Sequence, residues 1–260
     1  MDLYNYQGQI KNQQASFDDN VSISYAFDSL SHTNYTVFRI NRKRIDGTIQ
    51  FPFVRHVSPR KTPIELAIAE NWVYVINGGT GTGLVIENST VIQDDSLPVE
   101  VGAIPLSIDK DGNLGYLEAD TRGKGQSYVD QGIVSAFHGF FPLIVNYEDF
   151  AYPTDIPGTE AETWQHAQRQ IIGQFGNGDY LFIVSEGRNF DNSVGFTMSD
   201  VQRICKTLGV KFAYNLDGGG STQTVIGKRV VNSIYEGTSG RLRGTFIVFN
   251  GTDTFKIPNT

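Results

Sequence analysis

An apolar run from Val210 to Leu216 stops abruptly at Asp217, and Gly218, Gly219 and Gly220 follow before Ser221 and Thr222. Three missing side chains in a row leave the backbone free to take positive φ and let other groups reach its amides. The pattern predicts a buried strand that delivers a carboxylate to a tight turn, so the rest of the chain has to build a sheet for that strand to join. The glycines alone also suit a plain hairpin loop, and Asp217 a turn former that bonds its own backbone. Beside open amide donors, the carboxylate makes a site for an anionic or sugar ligand.

The remaining sequence supplies such a sheet. Charged residues make up only 19% of the 260, aromatic residues reach 12% and there are 28 glycines, a composition for a β-rich domain with many turns rather than a helical bundle. The length suits one large core. A formal net charge of -7 opposes nucleic-acid binding, and the single cysteine, Cys205, excludes an intramolecular disulfide and a cysteine-rich zinc site. Met1 to Tyr6 show neither a basic nor an apolar leader region, and no run approaches the ~18 apolar residues of a membrane span. The expectation is a protein without nucleic-acid or membrane partners, cytoplasmic or virion-associated, of undetermined oligomeric state.

Read in order, Val21 to Phe27, Tyr35 to Ile40 and Thr48 to Val54 are strand-like, which makes residues 1–57 a β-rich extension packed on a main domain of residues 58–260. Thr62, Pro63 and Glu65 open a short helix as cap, first residue and capping-box partner. Trp72 to Ile76 then reads as a buried strand closing in Asn77-Gly78-Gly79. Paired strands follow at Leu84 to Glu87 with Thr90 to Gln93, and at Ile104 to Ile108 with Leu114 to Glu118. The polar stretch Asp120 to Gln131 reads as an exposed loop, and Tyr147 to Glu162 as a long surface insertion or lid. A helix capped by Thr197 and closed by Gly209 lies between the strands ending near Arg188 and Asp217, a crossover that joins them as parallel neighbours of a mixed sheet. The fold class is α+β or mixed α/β: a strand-rich single domain with few short helices.

The block Asn215-Leu216-Asp217-Gly218-Gly219-Gly220-Ser221-Thr222 resembles the signature of the phosphodiester glycosidase family. Asn77-Gly78-Gly79, Arg169-x-x-Ile172-Gly173, the Glu186-Gly187-Arg188 strand end and an arginine before the last hydrophobic strand arrive in that family's order, with Glu186 in place of an aspartate and Thr80-Gly81 in place of two aromatics. Of the two late arginines, Arg241 is the preferred match and Arg243 the lesser one. The resemblance covers roughly 63–249. It implies a hydrolase cleaving a sugar-1-phosphodiester, of N-acetylglucosamine-1-phosphate type or a related cell-wall glycopolymer linkage, with a phosphorylated sugar or glycopolymer as partner. A non-catalytic carbohydrate-binding or structural part of a phage tail or surface assembly is the alternative.

Under that resemblance Asp217 is the first choice to meet positive charge on the sugar ring, and Glu186 either activates water or acts as an acid. Arg188 or Arg241 faces the phosphate. Asn77, Gly78, Gly79, Arg169, Asn215, Gly218, Gly219, Gly220, Ser221 and Thr222 complete a substrate-binding set, the two asparagines holding sugar hydroxyls or bracing loops. No cofactor is implied, and a divalent cation near Asp217 finds no ligand cluster of metal-binding spacing.

Overall fold

The computed structural model describes residues 15–18, 20–72, 74–96, 103–151, 165–234 and 240–249. The chain begins with β1 (Ala15–Asp18), β2 (Val21–Asp28) and β3 (Thr33–Ile40), and β4 follows at Phe53–Lys61. The expected strand from Thr48 to Val54 is displaced C-terminally, because residues 41–50 fold into local turns tied by Asp46 and Asn20. Helix α1 (Pro63–Ala69) has the full reciprocal capping box of Thr62 and Glu65. Next come β5 (Tyr74–Gly79), β6 (Val85–Glu87), β7 (Thr90–Gln93), β8 (Leu106–Asp109) and β9 (Leu114–Tyr116).

Helix α2 (Gly125–Asp130) stands within the segment expected to be a loop. Its buried Tyr128 packs with Leu84, Ile86 and Ala136, a tertiary anchor that a polar local sequence does not advertise. After β10 (Ile133–Phe137), β11 (Phe141–Val145) and β12 (Glu148–Asp149), most of the expected insertion from Tyr147 to Glu162 lies outside the described residues. The chain continues with β13 (Gln170–Gln174), β14 (Tyr180–Ser185), α3 (Met198–Thr207), β15 (Phe212–Asn215), β16 (Thr224–Ile226), β17 (Arg229–Val230) and β18 (Arg243–Phe249).

Among the described residues strand accounts for 43% and helix for 14%, so the fold is mostly β and the α+β expectation holds only loosely. The described residues form three sheets: an eight-stranded one ordered β1-β2-β3-β14-β13-β15-β11-β12, and five-stranded ones ordered β7-β6-β10-β8-β9 and β17-β16-β5-β18-β4. All three are antiparallel, which corrects the expectation of a mixed sheet. Strands β14 and β15 do run the same way, but β13 lies between them and pairs antiparallel with both. The crossover through α3 therefore spans one strand, and the carboxyl ends of β14 and β15 still meet the start of β13, where Gln170 opposes Val184 and Ile171 opposes Asn215.

Packing follows from alternation along the central strands. Tyr180, Phe182 and Val184 of β14 face a core shared with Ile76, Leu106, Phe137 and Ile247 of the smaller sheets. Leu181 and Ile183 face the other way, against Val201, Ile204 and Cys205 of α3. A strand buried on both faces needs an unbroken apolar run, and Tyr180 to Val184 is one. Helix α1 covers the outer face of the β5 sheet through Leu66 and Ala67, against Val75, Phe246 and Val248. Among the described residues no helix is long and apolar enough to cross a membrane.

Candidate active site

The ends of β5, β14 and β15 and the starts of β13 and β18 converge at one end of the sandwich. Asp217 leaves β15 with its backbone N–H donating to the carbonyl of Gly78, a 3.2 Å bond that links the large sheet to the β5 sheet. Its carboxylate is buried and its Oδ2 accepts from Arg243 Nε at 2.5 Å. A second nitrogen of the same guanidinium bonds Ser221 Oγ, and Nη1 donates to the carbonyl of Leu242. Arg243, the lesser of the two late arginines in the sequence, is thus the one paired with Asp217. Residues 241, 243 and 245 share strand parity, so alternation cannot choose between the arginines; the start of β18 at Arg243 decides it.

Asn77 is a brace. Its Nδ2 donates to the carbonyls of Asp217 at 3.2 Å and Ser221 at 2.9 Å, tying the glycine turn down at both ends. Gln170, unnoticed in the sequence, sits below it: Nε2 donates to the Asp217 carbonyl at 3.2 Å while Oε1 accepts from Thr224 Oγ1 at 2.7 Å. Asn232 is another buried support missed by motif reading, with Nδ2 on the Thr222 carbonyl and Oδ1 on the Thr224 N–H. Gln170 opens β13 directly after Gln168 and Arg169, so no local pattern in the sequence sets it apart.

Gly78 and Gly79 have a packing role. A Cβ on Gly78 would lie 2.8 Å from the Phe137 ring, and one on Gly79 would lie 2.6 Å from the His138 carbonyl. In the second turn, Gly219 takes φ +56, and a Cβ on Gly218 would sit 2.9 Å from the Gln168 carbonyl. The amides of Gly219, Ser221 and Thr222 donate to the carbonyls of Gln168, Gly218 and Gly219. Of the three glycine amides, that of Gly219 is spent internally, while those of Gly218 and Gly220 donate to no backbone carbonyl among the described residues.

Glu186 is the second buried carboxyl, 5% exposed, and both oxygens accept from the Ser233 N–H at 3.1 and 3.3 Å. Burial pushes its pKa up from the ordinary carboxyl value, opposed by the Ser233 and Gln168 hydrogen bonds. Gln168 links the two carboxyl regions: its carbonyl holds Gly219 while its side chain reaches the Ser233 carbonyl and Glu186. Arg188 is exposed, at φ +55, and its guanidinium lies against Gly219, where an added Cβ would be 3.2 Å from Nη2.

One expected ligand-facing residue, Arg169, turns inward. Arg169 is 2% exposed, with Nε on the Phe196 carbonyl at 3.1 Å and Nη2 on the Gln165 carbonyl at 2.8 Å, so it braces the strand end beneath the site. Arg241 is half-buried and lies outside β18, while Arg243 takes the position beside Asp217. Asn215 is buried with neither amide atom on a protein partner, as are Thr222 Oγ1 and Asn77 Oδ1. Among the described residues no group of three or more His, Cys, Asp or Glu side chains converges as a metal site.

A family model described as phosphodiester glycosidase matches residues 62–249. The chain belongs to the phosphodiester glycosidase family. A curated relative, the SPbeta prophage-derived uncharacterized protein YomE of Bacillus subtilis strain 168, is 25% identical over 242 residues, spanning 84% of this chain and 36% of that protein's length. The chain thus spans about a third of this relative. Among solved structures, the zebrafish N-acetylglucosamine-1-phosphodiester alpha-N-acetylglucosaminidase catalytic domain auto-inhibited by its pro-peptide matches with a TM-score of 0.66 and 17% identity, over 92% of this chain and 87% of that one. A hypothetical protein from Synechocystis matches with a TM-score of 0.69 and 13% identity, over 89% and 62%. At these identities the solved structures share the fold. Within the phosphodiester glycosidase match lie β5, β13 to β18 and every candidate site residue named above.

Proposed function

We propose that this phosphodiester glycosidase hydrolyses a sugar-1-phosphodiester, and that the carrying observation is the buried Asp217–Arg243–Ser221 cluster locked beneath the glycine turn, with Glu186 as a second buried carboxyl. Family membership and the name of the zebrafish relative support the reaction class. Water adds to the anomeric carbon as the bond from that carbon to the phosphate oxygen breaks. The bonding electrons leave with the phosphate as a phosphomonoester, and the proton of the attacking water passes to a carboxylate.

Positive charge building on the ring favours a fixed anion at close range, the role assigned to Asp217. Arg243 and Asn77 hold that carboxylate in one orientation. Glu186, its pKa raised by burial, suits a proton-handling role, either delivering a proton or taking one from water. Arg188 beside Gly219, with the amides of Gly218 and Gly220, meets the leaving phosphate, whose charge calls for donors more than for a full proton.

The test is release of phosphomonoester from a panel of sugar-1-phosphodiesters, N-acetylglucosamine-1-phosphate esters included, by wild type and Asp217→Asn. Asparagine keeps the shape and an acceptor for Arg243, so a folded variant that loses turnover by about 100-fold or more supports the assignment. Full activity in the variant overturns it. A second reading, a sugar-binding part of a phage assembly, draws on Asp217 being closed off by its own chain's arginine and on the prophage origin of YomE. Measurable sugar binding without hydrolysis of any panel member would favour that reading.

A further inference from the structure

The β2–β3 hairpin precedes the family match, which begins at residue 62, yet it is built into the candidate site. Strand β3 pairs along the whole of β14, from Ile40 opposite Tyr180 to Tyr35 opposite Ser185. The ladder then runs one residue further, onto the site itself: the Glu186 N–H donates to the Asn34 carbonyl at 2.9 Å.

Beyond Glu186 the chain makes a turn that non-glycine residues resist. Arg188, Asn189, Asp191 and Asn192 all take positive φ, between 49 and 67°. Such backbone persists only where its surroundings hold it. Part of the hold is internal, with the Arg188 and Asn189 amides on the carbonyls of Val194 and Ser193. The rest comes from the hairpin. Asn34 Nδ2 donates to the Asp191 carbonyl at 2.9 Å and to its Oδ2 at 3.0 Å, and the hydroxyl of Tyr25 donates to the same Oδ2 at 3.0 Å. The Asn34 N–H reaches Ser193 Oγ, the Val194 N–H reaches the His32 carbonyl, and the Gly195 N–H reaches Thr33 Oγ1. This turn carries Arg188, whose guanidinium rests against Gly219.

We infer that the N-terminal hairpin belongs to the site's working parts, with Asn34 and Tyr25 as positioning residues that act through Asp191 to fix the 187–195 turn and hold Arg188 over the glycine turn. The inference rests on the reading of Arg188 as the phosphate-facing group. Both residues lie outside the stretch that the family model matches, and both bond an aspartate that is neither of the two buried carboxyls of the site.

The test uses the full chain and inorganic phosphate as probe. Affinity is measured by calorimetry for wild type, Arg188→Ala, Asn34→Ala and the double variant, with amide hydrogen exchange across 187–195 measured in parallel. The expected result is a loss of about tenfold for each single variant and no further loss in the double, the non-additive pattern of residues acting as one unit. Exchange in 187–195 rises in Asn34→Ala while β13 and β14 stay protected. If Asn34→Ala fails to fold, Tyr25→Phe removes only a hydroxyl and is held to the same pattern, with a smaller loss. A loss in Arg188→Ala that neither hairpin variant shares, or losses that simply add, overturns the positioning role. Unchanged phosphate affinity in Arg188→Ala would instead remove the phosphate-facing reading of Arg188, and the exchange data then decide by themselves whether the hairpin holds the turn.

Discussion

At the residue scale, two buried groups pull the pH dependence of stability in opposite directions. Glu186 has a pKa raised by burial, so above the ordinary carboxyl value of 4.5 the folded chain holds a proton that the unfolded chain releases. Its contribution is present at low pH and is lost as pH rises through the raised value. His138 is the reverse. Burial lowers its pKa from 6.5 to about 4, while its Nδ1 accepts from the Leu84 N–H at 2.9 Å. Its contribution is present above 6.5 and is lost as pH falls toward about 4. Glu186→Gln removes only the first effect, so urea midpoints measured at about pH 5 and about pH 7 should rise more steeply in the variant than in wild type. Parallel changes would contradict the buried-proton account. Cys205 offers a simpler check: full burial pushes its thiol up to about 12, and a thiol reagent should label it only under unfolding conditions. Arg243 is a further residue-scale case. Arg243→Ala leaves the buried Asp217 without its guanidinium and should cost about 3 kcal/mol in chemical denaturation.

At the scale of elements, helix α3 tests how much local chemistry contributes. Thr197 accepts from the Asp200 N–H at 3.2 Å, and Asp200 Oδ2 accepts from the Thr197 N–H at 3.0 Å. Thr197→Ala should lower stability by about 1 kcal/mol in denaturant titration. The same local signal marked α1 correctly, because a capping box is complete within four residues. The N-cap of helix α2, Lys124, makes no side-chain bond; the first N–H of the helix donates to the distant Asp94 at 2.9 Å and Tyr128 reaches a distant cluster, long-range supports that no local pattern shows. Strand β5 ends under a steric limit of the same long-range kind. Gly79→Ala drives a methyl into the His138 backbone carbonyl, 2.6 Å from the Cβ position, and should destabilise the fold by more than about 2 kcal/mol in a thermal melt.

For the whole molecule, the site exists because two sheets end at the same place. Gln170 fastens them there, reaching from β13 of the large sheet to the Asn77 carbonyl and Thr224 hydroxyl of the β5 sheet and to the Asp217 carbonyl between them. Gln170→Leu removes the acceptor of the buried Thr224 hydroxyl and leaves the Asp217 carbonyl to Asn77 alone, and the expected loss is about 1–3 kcal/mol in urea denaturation. From the sequence alone came the apolar runs, the two capped helices, the strand that stops at Asp217 and the ordered blocks that mark the family, all of them patterns complete within a few residues. The tertiary structure alone decided that β13 separates β14 from β15, that Arg243 rather than Arg241 meets Asp217, and that Arg169 turns inward to brace backbone carbonyls. It also decided which amides of the glycine turn are spent, those of Gly219, Ser221 and Thr222. Those outcomes depend on which distant groups compete for each donor and acceptor once the sheets close. Period-two alternation names the face of a strand but never the strand beside it, and it leaves the partner of a side chain at a strand end undetermined.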